Sequence, residues 1–144
     1  MKKFSLPLMA AVLVFFVSMA DAQTGTIHVE ITGIKASKGL MSIGLYADEK
    51  GFPDNGKQYK GKDVDVTGPT VVYTFEDVPL GTYAIAIFHD ANSNDKLDKN
   101  FFGIPKEGYA FSNNVFGAFG SPPDFKDAAF KLDGNKTVKI KIEY

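Results

Sequence analysis

Between Phe88 and Asn100 the chain reads FHDANSNDKLDKN, which places three Asp and three Asn in the eleven positions after His89. Oxygen-bearing side chains at alternate positions of a tightly curled loop converge on one point, where a hard cation takes many oxygens. Counted from Asp90, positions 1, 3, 5, 7 and 9 of a calcium loop fall on Asp90, Asn92, Asn94, the Lys96 carbonyl and Asp98. Position 6, where Gly makes the sharp turn, is Asp95, and position 12, where Glu gives a bidentate ligand, is Phe101. Glu107 would have to return from further along the chain to replace it. So few charges imply weak calcium affinity, on the order of 10⁻⁴–10⁻³ M. A second account of the same residues needs no metal: Asp and Asn in turns accept hydrogen bonds from backbone N–H groups two residues on.

His89 abuts this loop and could serve as metal ligand or general base, which defines one alternative function: a small metal-assisted enzyme at His89 and Asp90. Strand alternation instead points His89 with Ile85 and Ile87, as a buried histidine with satisfied nitrogens would point. His28 falls on the polar face of its strand. With two His, no Cys and no Ser in a nucleophile setting, a hydrolytic triad has no support. The absence of cysteine also excludes thiol nucleophiles, zinc–thiolate sites, iron–sulfur clusters and disulfides.

Beyond the loop, Lys99 to Phe125 carries seven aromatics: Phe101, Phe102, Tyr109, Phe111, Phe116, Phe119 and Phe125. A connection of this length is either functional or packed by its own side chains. Strand Tyr83–His89 is apolar on both faces, so the aromatic segment is expected to fold back over its second face. The competing expectation is a ligand surface at Phe101, Phe102, Tyr109 and Phe111, whose rings could stack on carbohydrate or on a partner chain such as an envelope protein.

The elements that must position these residues show period two. Ile27, Val29 and Ile31 alternate with polar neighbours; so do Met41, Ile43 and Leu45, then Val71, Tyr73 and Phe75, then Val138, Ile140 and Ile142. The last set follows AAFKL and the turn DGN, which reads as a C-terminal hairpin. Asp63 to Thr67 is a candidate edge strand, and Ala47 to Lys62 reads as an exposed loop. No window carries a helical stripe. The pattern predicts an all-β fold: an antiparallel Ig-like or transthyretin-like β-sandwich of about seven strands with a long aromatic loop.

MKK, an apolar run and Ala20-Asp21-Ala22 have the form of a secretory signal peptide over residues 1–22. Residues 23–144 then form one domain, exported to the periplasm or the exterior, and no later stretch is long and apolar enough to span a bilayer. Removal of Lys2, Lys3 and Asp21 moves the formal charge from −1 to −2. That gives no field for nucleic acid, and all basic residues are Lys, none the Arg favoured for bidentate phosphate contacts.

Two resemblances follow from the residues. FEDVPLGTYAIAIFHD, with Phe75, Val78, Pro79, Gly81 and Tyr83, resembles the strand–turn–strand signature of transthyretin-like and carboxypeptidase-regulatory-like sandwiches, and implies a tyrosine that bonds back to backbone at a corner between sheets. The His-Asp-x-Asn-x-Asn loop, the GIPKEGY run, FSNN and DAAF together resemble a bacterial exported family, the domain of unknown function number 2141, over almost all of residues 23–144. The chain departs from it at Asp95, where Gly is usual. The resemblance implies a fold and a compartment and no catalytic residue. The expected function is a non-catalytic binding or accessory module, with no cofactor unless calcium; a purely structural envelope protein is the remaining alternative.

Overall fold

The computed structural model describes residues 21–144; the expected signal peptide, 1–22, lies outside them apart from Asp21 and Ala22. Among the described residues the strands are β1 (Thr24–Thr32), β2 (Leu40–Tyr46), β3 (Lys60–Asp65), β4 (Val71–Pro79), β5 (Gly81–Asp90), β6 (Tyr109–Phe111), β7 (Phe130–Leu132) and β8 (Lys136–Lys141). One helical turn, α1 (Phe125–Ala128), precedes β7. The strands form two sheets, ordered β4-β1-β8 and β3-β2-β5-β6, with β7 also paired to β5. Alternation explains why they close on each other. Ile27, Val29, Ile31, Phe75, Val138 and Ile140 of the first sheet pack in one buried cluster with Met41, Ile43, Leu45, Ile85 and Ile87 of the second. Burial of each such side chain contributes about 1.5–3 kcal/mol.

The crossing from β4 to β5 carries the expected corner. The Tyr83 hydroxyl donates to the Pro79 carbonyl at 2.7 Å, four residues upstream, and so fixes the turn between the sheets.

Three expectations are corrected. The C-terminal hairpin does not exist: β7 pairs with Gly81–Tyr83 of β5, whereas β8 pairs with β1 in the other sheet. The Asp133-Gly134 turn therefore carries the chain between sheets. The β1–β8 pair is also parallel, so the sandwich is not wholly antiparallel. Finally, the edge strand starts at Lys60, inside the segment read as loop, and ends at Asp65 rather than Thr67.

The second face of β5 is covered, as expected, but by only part of the aromatic segment. Ala84 and Ala86 present nothing beyond Cβ, which leaves room for rings. Phe111 is buried there with Ala84 and Ala128; Tyr109, Phe116 and Phe125 pack around them, joined by Phe52 from the β2–β3 connection. The rings meet edge to face, Phe111–Phe116 at 5.7 Å and Phe52–Phe111 at 5.8 Å between centroids. Phe101, Phe102 and Phe119 stand outside this cluster at 98%, 83% and 108% relative exposure, so for them the covering role is overturned.

The FSNN run latches the cover down. The Ser112 hydroxyl accepts from the Ile85 N–H and donates to the Ala128 carbonyl. The Asn113 amide donates to the Asp127 and Ala129 carbonyls, and Asn114 pairs with the Lys139 carbonyl and the Lys141 N–H along the free edge of β8. Asn113 and Asn114 both hold positive φ, which Asn tolerates better than most residues.

Candidate functional site

The Asp90–Asp98 loop starts where β5 leaves the sheet. Asp90 is buried, and its two carboxylate oxygens accept from the N–H groups of Asn94 (3.0 Å) and Asp95 (2.8 Å). Asn92 Oδ1 accepts from the Asn94 N–H at 3.2 Å, and Asn94 Oδ1 accepts from the Lys96 N–H at 3.0 Å. Asp95 takes the left-handed conformation (φ 64°) that a glycine would hold in a calcium loop. Both amide nitrogens then turn to one carboxylate: Asn92 Nδ2 lies 2.6 Å from Asp98 Oδ2, and Asn94 Nδ2 lies 3.0 Å from Asp98 Oδ1. These two donors, Asn94 first, hold the Asp98 carboxyl below the usual carboxylate range, helped slightly by Lys106 and Lys96.

Glu107 does return to the loop. Its Oε1 accepts from the Ala91 N–H and its Oε2 from the Asp98 N–H, each at 3.0 Å. It thus clamps both ends of the loop, in the place where Phe101 could not act. The sequence brings it back through a short hairpin, Lys99 to Pro105, closed by a bridge between those two residues. Within the hairpin, Asn100 Oδ1 accepts from the N–H groups of Phe102 and Ile104, and Gly103 (φ 78°) makes the turn. Among the described residues, no three His, Cys, Asp or Glu side chains converge as a metal-holding group: Asp90, Asp98 and Glu107 each serve separate donors.

His89 faces the other way. It is buried, with Nε2 2.7 Å from the Lys38 carbonyl and Nδ1 2.7 Å from the Tyr144 hydroxyl. A carbonyl can only accept, so Nε2 carries the proton; in the neutral ring Nδ1 accepts from the Tyr144 O–H. Burial raises the Tyr144 hydroxyl above its usual pKa, with a smaller opposing effect from the Lys35 N–H. Neither ring nitrogen is open to a metal or substrate, and the ring does not converge with the Asp90 carboxylate. Gly108 permits this packing, because a Cβ there would meet the Tyr144 ring at 2.7 Å. His28 lies on the outer face of the first sheet, 2.8 Å from the Thr74 hydroxyl.

The remaining candidates line a groove of about 740 Å³ over the outer face of the second sheet. Its floor is Ala86, Phe88, Tyr109 and Phe111. Phe102 and Ile104 of the hairpin form one wall, and Phe119 and Gly120 another, with Pro53 to Asn55 at one end. Phe101 is not part of the lining; it packs edge to face on Phe102 at 5.5 Å, in water. Of the four rings expected to form a ligand surface, three therefore meet in one groove, and Phe111 does so as its buried base. Ile104 and Phe119, outside that set, line the groove as well. Phe119 holds φ 56°, unusual for a bulky residue, and its ring stands outside the cover. A smaller polar cavity of about 460 Å³ adjoins the groove, sharing Ser42, Asn55, Phe88 and Asp95.

Fold and site together define a two-sheet β domain with a carboxylate-clamped Asp/Asn loop beside an aromatic groove. The chain belongs to the family described as "Uncharacterized protein conserved in bacteria (DUF2141)", which it matches over residues 29–141. The match takes in the loop, the hairpin, the FSNN latch and all strands from β2 to β8. A search of curated proteins finds no match, and a search of solved structures finds none. The transthyretin-like resemblance therefore rests on the Phe75–Tyr83 corner.

Proposed function

We propose that this is an exported, non-catalytic binding module whose ligand lies in the groove between the Lys99–Pro105 hairpin and the Phe119 turn. The observation that carries it is the set of apolar side chains left in water at the groove's rim: Phe102, Ile104 and Phe119. Soluble domains seldom leave a contiguous apolar patch uncovered unless something docks on it. No histidine lines the groove, and both nitrogens of His89 are already engaged, which supports binding over the metal-assisted enzyme at His89 and Asp90. Export rests on the sequence of residues 1–22 alone.

The test uses a neutral amphipathic probe, 4-phenylbutanol, followed by amide chemical shifts. Shifts should cluster at Ala86, Phe88, Tyr109 and Phe111 with a dissociation constant on the order of 10⁻³ M. Phe102→Ser and Phe119→Ser should each weaken binding about fivefold, the worth of a half-covered ring, without lowering stability. Shifts scattered over the surface, or affinities unchanged in both variants, would favour the purely structural envelope protein.

A second reading, calcium in the Asp90–Asp98 loop, draws on the return of Glu107, whose carboxylate would have to stand in for the one missing at position 12 while still held by the Ala91 and Asp98 N–H groups. Each engaged carboxylate oxygen keeps a lone pair free for a cation. At calcium ten times a millimolar dissociation constant, mass action gives about 1.4 kcal/mol of added stability. A melting temperature that ignores millimolar calcium and chelator alike would dispose of it.

A further inference from the structure

We infer that the groove and its polar annex form one bipartite site for an amphipathic cation, with an apolar body over the aromatic floor and an ammonium-type head in the annex. This rests on the groove being the binding site, and adds the class of ligand.

The two cavities share Ser42, Asn55, Phe88 and Asp95 in their linings, and they differ in chemistry. The groove is walled by Phe102, Ile104 and Phe119. The annex is lined by Ser42, Asn55, Gln58, Lys62 and the carboxylates Asp63, Asp90 and Asp95. Two exposed carboxylates, Asp63 and Asp95, thus border the annex, with the buried Asp90 behind them. Neither Asp63, Asp95 nor Lys62 takes part in an ion pair among the described residues. Asp90 is buried with both oxygens turned to its own loop, so it adds negative potential from behind, while Asp63 and Asp95 are exposed and free to meet a ligand. Lys96 and Lys99 line the groove, not the annex. Asp54, paired with Lys57, and Asp95 line the groove too, so its formal charges balance, whereas the annex sets three carboxylates against Lys62; this difference gives the direction in which a cation lies. Phe88 borders both cavities, where the face of a ring favours a nearby cation.

The test is a series with one body and three heads: 4-phenylbutylamine, 4-phenylbutanol and 4-phenylbutyrate, each titrated into the full domain at low salt. Two exposed carboxylates acting on one cation should favour the amine over the alcohol by about tenfold. The carboxylate should bind more weakly than the alcohol. Asp63→Asn/Asp95→Asn should abolish the preference for the amine, read as the ratio of amine to alcohol affinity on the same variant, and ~0.5 M salt should do the same. Equal binding of amine and alcohol, preference for the carboxylate, or a preference that survives the double substitution would overturn the inference while leaving the groove intact. Failure of all three probes to bind would instead remove the groove reading, and this inference with it.

Discussion

Glu107→Gln puts the greatest strain on the account of the loop. Glu107 is half-buried and joins the Ala91 and Asp98 N–H groups, seven residues apart, through one carboxylate. The amide keeps one acceptor oxygen and sets an NH₂ group against the second N–H, so one charge-assisted bond becomes a donor–donor contact. Such bonds contribute about 1.5–3 kcal/mol, and partial exposure places this one at the lower end, about 1.5 kcal/mol. That is about tenfold in the equilibrium for opening the loop. Loops open without global unfolding, so the direct assay is amide hydrogen exchange in the presence of a chelator. Exchange at Ala91 or Asp98 should accelerate about tenfold, and the urea midpoint should fall by up to about 0.5–1 M. Glu107→Ala should cost about twice as much. If both amides exchange at the wild-type rate in both variants, the clamp does not hold the loop. If the defect appears only when calcium is present, the carboxylate serves a cation rather than the backbone.

Two further outcomes depend on pH. The Tyr46 hydroxyl, pushed up to about 12 by burial and then by Asp54, donates to the Pro53 and Asp54 carbonyls. Its folded value lies above its unfolded value, so the stability it contributes is complete below pH 10 and is lost as pH rises towards 12; Tyr46→Phe should remove that part of the alkaline unfolding profile. For Asp98 the sign is opposite. Its folded value is depressed, so its contribution is complete above the ordinary Asp range and is lost as pH falls through the depressed value. Asn94→Ala should raise the Asp98 titration midpoint, read by carboxyl carbon NMR, more than Asn92→Ala does. Absent shifts would mean the amides do not clasp the carboxylate, and equal ones would overturn the order of the two.

Which parts of this architecture were legible in the sequence follows from the range of the interactions involved. Period-two alternation reports burial of one strand face, a local property, and it placed Ile27, Met41, Val71 and Val138 in the core. Strand partners are a non-local property. Asp133-Gly134 suits a hairpin and a crossing between sheets equally well, and the choice was made by the free edge of β1, over a hundred residues earlier in the chain. The loop divides in the same way. Spacing alone marked Asp90, Asn92, Asn94 and Asp98, because Asx turns are local. Glu107 could be named only as a residue that would have to return, since its return depends on the hairpin closed by Asn100. FSNN was visible as a motif and mute as to role, because each of its polar contacts is to a backbone group at least fourteen residues away. The aromatic segment divided for a physical reason: covering the sheet and lining a surface were read as competing fates of the rings, but Ala84 and Ala86 clear floor for the inner rings alone. Phe102 and Phe119, held on turns stiffened by Asn100 and by a left-handed backbone, were left in water at the rim. A second core could have been closed by any rings of suitable size. The rings left out of it, Phe102 and Phe119, are the ones on which the proposed binding role rests.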